Sequence, residues 1–278
     1  MILVADSGST KTNWCYCSGK NKREYFSSDG INPFFRTTKN IVEELQPRLL
    51  PALSGKVRQI YFYGAGVVNE EKAAVIKSAL SELFPGASCE VESDLLAAAR
   101  ATLGHTQGIA CILGTGSNSC LYDGTQIINH VPPLGYILGD EGSGTYLGRR
   151  LLADYLKKIM PDDLAQRFRK MFPMDYSEFL NNVYQNENVR MFLAGFVLYL
   201  KDNIKEQYCK DLVSDSFKAF INRNVACYPE FEKYQVSFIG SLAFHFQKQL
   251  KDILAKQNLQ PGVILKEPLE QLIQYHLE

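Results

Sequence analysis

The sequence predicts an α/β protein of two like halves, on three observations. Strand-like and helix-like segments alternate through its first hundred residues. A strand, a turn of small residues and a second strand occur twice, about a hundred residues apart. Hydrophobic residues make up 46% and charged residues 22% of the 278, a balance that buries a sizeable core as one large domain or two modest ones.

In order along the chain, apolar ILVAD (2–6) and NWCYC (13–17) read as strands flanking the polar turn 7–12, a hairpin by spacing. The stretch 38–50 has a helical period, with Ile41, Val42, Leu45 and Leu49 on one face. Strand QIYFYGAG (59–66), helix 70–83, strand SCEVES (88–93) and helix 94–103 follow, and 104–108 reads as a boundary. The pattern then restarts: buried strand GIACIL (108–113), glycine turn GTGS (114–117) and return strand NSCLYDG (118–124), closed by the turn signal Asp123-Gly124. From residue 144 to about 222 the chain is mostly helical and rich in aromatic residues. Strand QVSFIG (235–240) leads into a helix over 241–257. A terminal helix carries Leu269, Leu272, Ile273 and His276 on one stripe.

Thirty basic residues balance thirty acidic ones, so the global field draws in neither nucleic acid nor an anionic membrane, and an anionic ligand must be caught locally. The strongest apolar run, 192–200, falls short of the roughly 20 residues of a membrane span. The opening MILVAD has no basic leader region, so no signal peptide is expected. Seven cysteines without metal-type spacing, Cys15 and Cys17 on one strand face among them, fit packing in a reduced, cytoplasmic protein. The four histidines are isolated and read as packing or surface residues.

Chemistry is expected at the turns. Small residues let backbone N–H groups approach a ligand, and consecutive N–H groups form an anion nest. Gly8, Ser9, Thr10, Lys11 and Thr12 suit a phosphate, and Asp6 beside them suits Mg²⁺, which takes oxygen ligands and keeps several waters. Gly114 to Ser117 offers a second cradle. Neither matches G-x-x-x-x-G-K-[ST], and Gly64-Ala65-Gly66 lacks the rest of a dinucleotide fingerprint. Asp94 follows a strand and opens a helix, a place for an N-cap or for a catalytic carboxylate. In Gly139-Asp140-Glu141-Gly142-Ser143-Gly144 the acids suit a helix N-terminus, but three glycines in six residues favour close approach of a ligand. Gly240-Ser241 allows the backbone to pass a flat ring.

Together, D-S-G-S-T-K-T (6–12), G-T-G-S-N (114–118), G-D-E-G-S (139–143) and Gly240-Ser241 resemble, over nearly the whole chain, the BadF/BadG/BcrA/BcrD group of actin-like (sugar kinase/Hsp70/actin) ATPases, and within it the N-acetylglucosamine kinases. The resemblance implies two actin-like ATPase (ribonuclease H-like) domains with an interdomain cleft: 1–106, with helix 266–278 packing back on it, and 107–265 with a helical insertion. It implies ATP and Mg²⁺ as cofactors and an amino sugar as acceptor, N-acetylglucosamine at its 6-hydroxyl. Asp94 is then the catalytic base, Asp6 the metal residue, and Gly8 to Thr12 with Thr115 and Gly116 the phosphate loops. Gly240 and Ser241 would lie against adenosine, and Asn32, Ser117, Asn118, Gly135 and Asp140 against the sugar. A homodimer is compatible with the aromatic-rich helical half.

Two departures stand out. Leu134-Gly135 replaces the family's Trp-Gly, and Asp29-Gly30-Ile31-Asn32 lacks the doubled glycine before the asparagine. A missing aromatic wall leaves room for a bulkier acceptor such as N-acetylmuramic acid. The rival readings are an iron–sulfur activator ATPase of the BadF type, against which Cys111 and Cys120 sit in strand patterns, and a non-enzymatic sensor, for which no DNA-binding extension is present.

Overall fold

The computed structural model describes residues 1–8, 10–19 and 22–278, and divides into two compact units: 1–104 with 268–278, and 105–267. Ser9 of the first phosphate turn lies outside the described residues.

The first unit begins with β1 (Ile2–Ser7), β2 (Lys11–Cys17) and β3 (Arg23–Asp29), an antiparallel meander. Then come α1 (Thr38–Leu49), β4 (Gln59–Gly64), α2 (Glu70–Leu83), β5 (Ser88–Ser93) and α3 (Asp94–Leu103). The sheet order is β3-β2-β1-β4-β5, with β4 parallel to β1 and β5 parallel to β4. Leu3, Ala5, Trp14, Tyr16, Ile60 and Phe62 alternate onto one face and pack with the apolar stripes of α1 and α2. Thr37 caps α1 and Asn69 caps α2, so both helices begin where a side-chain oxygen takes up free N–H groups.

The second unit repeats the plan. A meander of β6 (Gly108–Leu113), β7 (Ser117–Tyr122) and β8 (Ile127–His130) is followed by α4 (Gly135–Leu138), α5 (Gly144–Leu156), α6 (Asp162–Met171), α7 (Tyr176–Tyr184), α8 (Val189–Gly195), α9 (Val197–Asp202) and α10 (Gln207–Arg223). Then come β9 (Gln235–Ile239), α11 (Ser241–His245), α12 (Gln247–Lys256) and β10 (Gln260–Leu265). The order β10-β9-β6-β7-β8, with β9 parallel to β6 and β10 parallel to β9, mirrors the first sheet strand for strand. The aromatic richness of the helical insertion is spent inside: Phe168, Phe179 and Phe196 are buried around one another and Tyr199. Cys111 and Cys120 are buried in the sheet as small hydrophobes.

The last helix, α13 (Leu269–Leu277), belongs to the first unit, where it packs on α3, β1 and β2. Its stripe of Leu269, Leu272 and Ile273 is buried. His276 stacks on Tyr61 with ring centres 3.5 Å apart and hydrogen-bonds the Tyr63 hydroxyl at 2.8 Å. Arg100 of α3 donates to that same hydroxyl and to Glu90, each at 2.6 Å.

The structure differs from the sequence expectation in places. Strands β3, β8 and β10 are additional, and all three lie on sheet edges. The helix expected over 241–257 is broken at Phe246 into α11 and α12. Among the described residues, no helix is long and apolar enough to cross a membrane.

Candidate active site

In the first unit the parallel strands deliver their ends to one edge. The register sets Ser7 beside Gly64 and Gly64 beside Ser93. With strands about 4.8 Å apart, the residues following β1, β4 and β5 fall within about 10 Å of one another. Asp6, Gly8, residues 10–12, Gly66 and Asp94 therefore share an edge, at the carboxyl ends of the strands where open α/β sheets bind ligands.

The first turn is held from behind by Ser7. Its hydroxyl lies 2.7 Å from Thr12 Oγ1 and accepts the Ile31 N–H at 3.0 Å. Thr12 Oγ1 donates to the Asp29 carbonyl at 3.0 Å, and Gly30 N–H donates to the Thr10 carbonyl at 3.0 Å. Ser7 and Thr12 are buried, whereas Gly8, Thr10 and Lys11 are exposed at the tip. Of the hydroxyls expected at phosphate, Thr12 is thus a strut of the turn. These bonds also fix the segment leading to Asn32. Its carboxamide oxygen accepts the Phe34 N–H at 2.9 Å, and Gly66 leaves room for the side chain by having no Cβ. That close packing accounts for Gly64-Ala65-Gly66 without a dinucleotide. Asp6, half-buried near the end of β1, offers carboxylate oxygen, and this donor chemistry fits Mg²⁺ held through its waters rather than a soft metal.

Asp94 is the first residue inside α3, not its cap. The capping oxygen is Ser93 Oγ, which accepts the Leu96 N–H at 3.1 Å. Ser93 rather than Asp94 is therefore the cap, while the Asp94 carboxyl lies by the free N–H groups of the first turn. Burial lifts that carboxyl from 3.8 to about 6, against the pull of the Leu95 and Asp94 N–H groups. The same substitution of roles occurs in the second unit. Ser143 Oγ caps α5 on the Tyr146 N–H at 3.1 Å, so Asp140 and Glu141 are not needed there. Glu141 pairs with Arg223 at 2.6 Å instead.

Asp140 is turned inward at a left-handed backbone position, φ 54°, and is 3% exposed. Its Oδ1 accepts the Ser117 N–H at 3.2 Å, while its Oδ2 is buried without a hydrogen bond among the described residues, as is Ser117 Oγ. Burial raises the Asp140 carboxyl above its usual range, opposed by the Ser117 N–H and the Arg190 charge. Two orphaned oxygens in one small site are what a polyhydroxylated ligand would satisfy. The loop between β6 and β7 is tied to α5, because Gly144 N–H donates to the Gly114 carbonyl at 2.8 Å and Thr145 Oγ1 donates to the Thr115 carbonyl at 2.6 Å. Gly240 is seated against the Leu113 carbonyl, which brings Gly240-Ser241 to the start of the same loop.

Thr115, Gly116, Ser117, Asp140, Gly240 and Ser241 are thus gathered at one edge of the second sheet. Asn118, the next residue of β7, alternates away from Ser117, and its amide oxygen accepts from His130 Nε2 (2.9 Å, as assigned) and from the Ser119 N–H. Gly135 begins α4 and reaches this neighbourhood through the backbone, its carbonyl accepting the Gly139 N–H at 2.8 Å. Leu134 beside it is 60% exposed at φ 59°. Arg190 was not legible as a site residue; it stands in an aromatic helical stretch and is carried to the loop only by the packing of α8 on α5.

Two units of one topology, each with loops of small residues at the carboxyl ends of its parallel strands, define an actin-like ATPase fold of the kind sugar kinases have. Solved structures agree. A candidate N-acetylglucosamine kinase from Porphyromonas gingivalis is 43% identical, matches 99% of this chain and 98% of its own length, and superposes with a TM-score of 0.93. A candidate N-acetylglucosamine kinase from Chromobacterium violaceum is 18% identical, over 99% and 98% of the two chains, with a TM-score of 0.77. A candidate N-acetylmannosamine kinase from Listeria monocytogenes is 14% identical, over 99% and 98%, with a TM-score of 0.56. The latter two share the fold. The first shares the family: this chain belongs to the N-acetylglucosamine kinase-like family of actin-like sugar kinases. No protein-family model and no curated protein matches the sequence.

Proposed function

We propose that the protein is an ATP-dependent amino-sugar kinase that phosphorylates the 6-hydroxyl of N-acetylglucosamine. The observation that carries this reading is Asp94: a carboxylate next to the capping Ser93, at the carboxyl edge of the sheet, and held at about 6 by burial. A base with a pKa near the working pH is both mostly ionised and strong enough to accept a proton. The 43% identity to the P. gingivalis protein, along the whole chain, supports the acceptor class.

In this mechanism Asp94 takes the proton of the sugar's primary hydroxyl as that oxygen attacks the γ-phosphorus. Backbone N–H groups of 8–12 and of Thr115-Gly116 hold phosphoryl oxygens and stabilise the charge that gathers on them. Asp6 would hold Mg²⁺ through water, and the ion, when bound, neutralises charge on the outer phosphates. Asn32 and Asp140 orient sugar hydroxyls or the N-acetyl group, and Gly240-Ser241 lies against adenosine. A cytoplasmic site of action accords with the ATP requirement.

The test is a coupled ADP-release assay with N-acetylglucosamine, N-acetylmuramic acid, glucosamine and glucose. Turnover with N-acetylglucosamine well above the others is expected. Activity confined to glucose, or ATP turnover indifferent to any sugar, would discard the acceptor assignment. N-acetylmuramic acid as the best acceptor would show that the room left by Leu134 is used.

A further inference from the structure

Resting on the kinase reading above, we infer that Arg190 is a catalytic residue that contacts the transferred phosphoryl group above the Thr115-Gly116 loop.

Arg190 Nη2 sits 3.8 Å from Asp140 Oδ2, an ion contact too long for a hydrogen bond. It also sits directly over Gly116, where a Cβ would come within 2.8 Å of Nη2 and 3.3 Å of Asp140 Oδ1. Glycine at 116 is thus what lets a cation reach across the loop backbone. The Arg190 side chain is 53% exposed, and among the described residues its guanidinium donates no hydrogen bond. A guanidinium carries five N–H donors in a planar fork that matches phosphoryl oxygens. Here they are unspent, beside a loop whose own N–H groups suit phosphate.

The chain invests in this placement. Gly148 of α5 has no side chain where the Leu193 carbonyl of α8 presses in, and a Cβ there would overlap that carbonyl. Gly144, one turn earlier, lies close against Ala194, where a Cβ would come within 3.3 Å of the Ala194 methyl. These two glycines let α8 settle on α5. Thr145, between them, shares its hydroxyl proton between the Thr115 carbonyl at 2.6 Å and the Arg190 carbonyl at 3.4 Å. The loop and the arginine's backbone are therefore anchored to one hydroxyl. Holding Asp140 alone would not require a guanidinium with every donor free.

During transfer the bond from the β,γ-bridging oxygen to the γ-phosphorus breaks, its electron pair leaving with ADP. A bond forms from the sugar's O6, whose proton goes to Asp94. Charge on the three equatorial oxygens is greatest midway, and Arg190 meets it there, from the side of Asp140, whose own negative charge keeps the guanidinium in place before the phosphate arrives.

The experiment compares full-length wild type, Arg190→Ala and Arg190→Lys in two ways. Turnover is measured with N-acetylglucosamine and ATP, and affinity is measured for ADP with Mg²⁺, with and without fluoroaluminate as a mimic of the phosphoryl group in flight. Arg190→Ala is expected to bind ADP within about threefold of wild type, to lose about 100-fold in kcat, and to lose a similar factor in the extra affinity that fluoroaluminate confers. Arg190→Lys should lose about tenfold, and added guanidinium ion should restore part of the kcat of Arg190→Ala. The inference is overturned if Arg190→Ala keeps the full fluoroaluminate gain, if wild type has no such gain, or if the defect lies wholly in the sugar KM. The fluoroaluminate arm contains no sugar. A wild type that gains affinity through Arg190 but phosphorylates no amino sugar would therefore uphold this inference and sink the acceptor assignment.

Discussion

At Asp94, the proposed base, a cost in stability would accompany a gain in chemistry. Its carboxyl is raised in the folded state, from 3.8 to about 6, chiefly by burial. The ionised form is therefore disfavoured by folding: the cost is fully present above about pH 6 and vanishes below 3.8, where the carboxyl is protonated in both states. That displacement corresponds to about 3 kcal/mol. Asp94→Asn removes the charge and keeps the shape. The variant should melt a few degrees higher at pH 7.5 while losing about 10³-fold in kcat and binding ATP normally. A lower melting point would make the carboxylate a structural group. In the wild-type enzyme, kcat/KM should fall about tenfold per pH unit below about 6 as the base is protonated. A profile flat to pH 5 would point to a different base.

At the level of elements, α13 is clamped to the first unit by a histidine that must stay neutral. Burial pushes His276 down to about 4, helped by the Arg100 charge. A histidine lowered in the folded state contributes stability that is intact above its ordinary 6.5 and is lost as pH falls from there towards 4. Amide exchange over 269–277 should therefore accelerate at pH 4.5 relative to pH 7, more than in neighbouring α2, once intrinsic rates are divided out. His276→Phe keeps the stack on Tyr61 and should lose most of that acid sensitivity; unchanged sensitivity would assign it to other groups. The contact of α5 with α8 permits a second test. Gly148→Ala forces a methyl onto the Leu193 carbonyl, a backbone atom that cannot swing aside, and should cost about 2–3 kcal/mol by chemical denaturation. A neutral result would mean that α8 moves freely on α5. Elements in the core were legible from their apolar runs, as with 94–103 and 108–113, and the edge strand 88–93 was legible as the short stretch between two helical patterns; the expected and observed bounds of all three coincide. The strands that were not legible are edges. REYFSSD in β3 is half exposed, β8 has four residues, and β10 contains Pro261 and Gly262, which an edge tolerates because one side of its backbone needs no partner.

On the scale of the whole molecule, the duplication was readable because a strand, a turn of small residues and a second strand leave the same trace at both 2–17 and 108–124. The division of labour inside each unit was not. Serines at 93 and 143 do the capping that nearby acids could have done, and only the fold reveals that neither Asp94 nor Asp140 is the cap. Arg190 left no local signal at all, since its position depends on two glycines forty residues away in sequence, which only packing connects. The equivalence of the two units carries a last consequence. If both phosphate loops serve one triphosphate, a nucleotide alone must quieten backbone motion in both units. Saturating a non-hydrolysable ATP analogue with Mg²⁺ at a hundred times its Kd should stabilise the fold by about 2.7 kcal/mol. On that reading it should also slow amide exchange at 8–12 and at 114–117 together, because each loop would give its N–H groups to phosphate. Asp6→Asn should weaken that protection at both loops without abolishing folding, as the metal it is proposed to hold would lose its carboxylate. Protection that appears at 114–117 while 8–12 exchanges as in the free protein would assign the nucleotide to one unit alone, and the mechanism built on paired loops would fail.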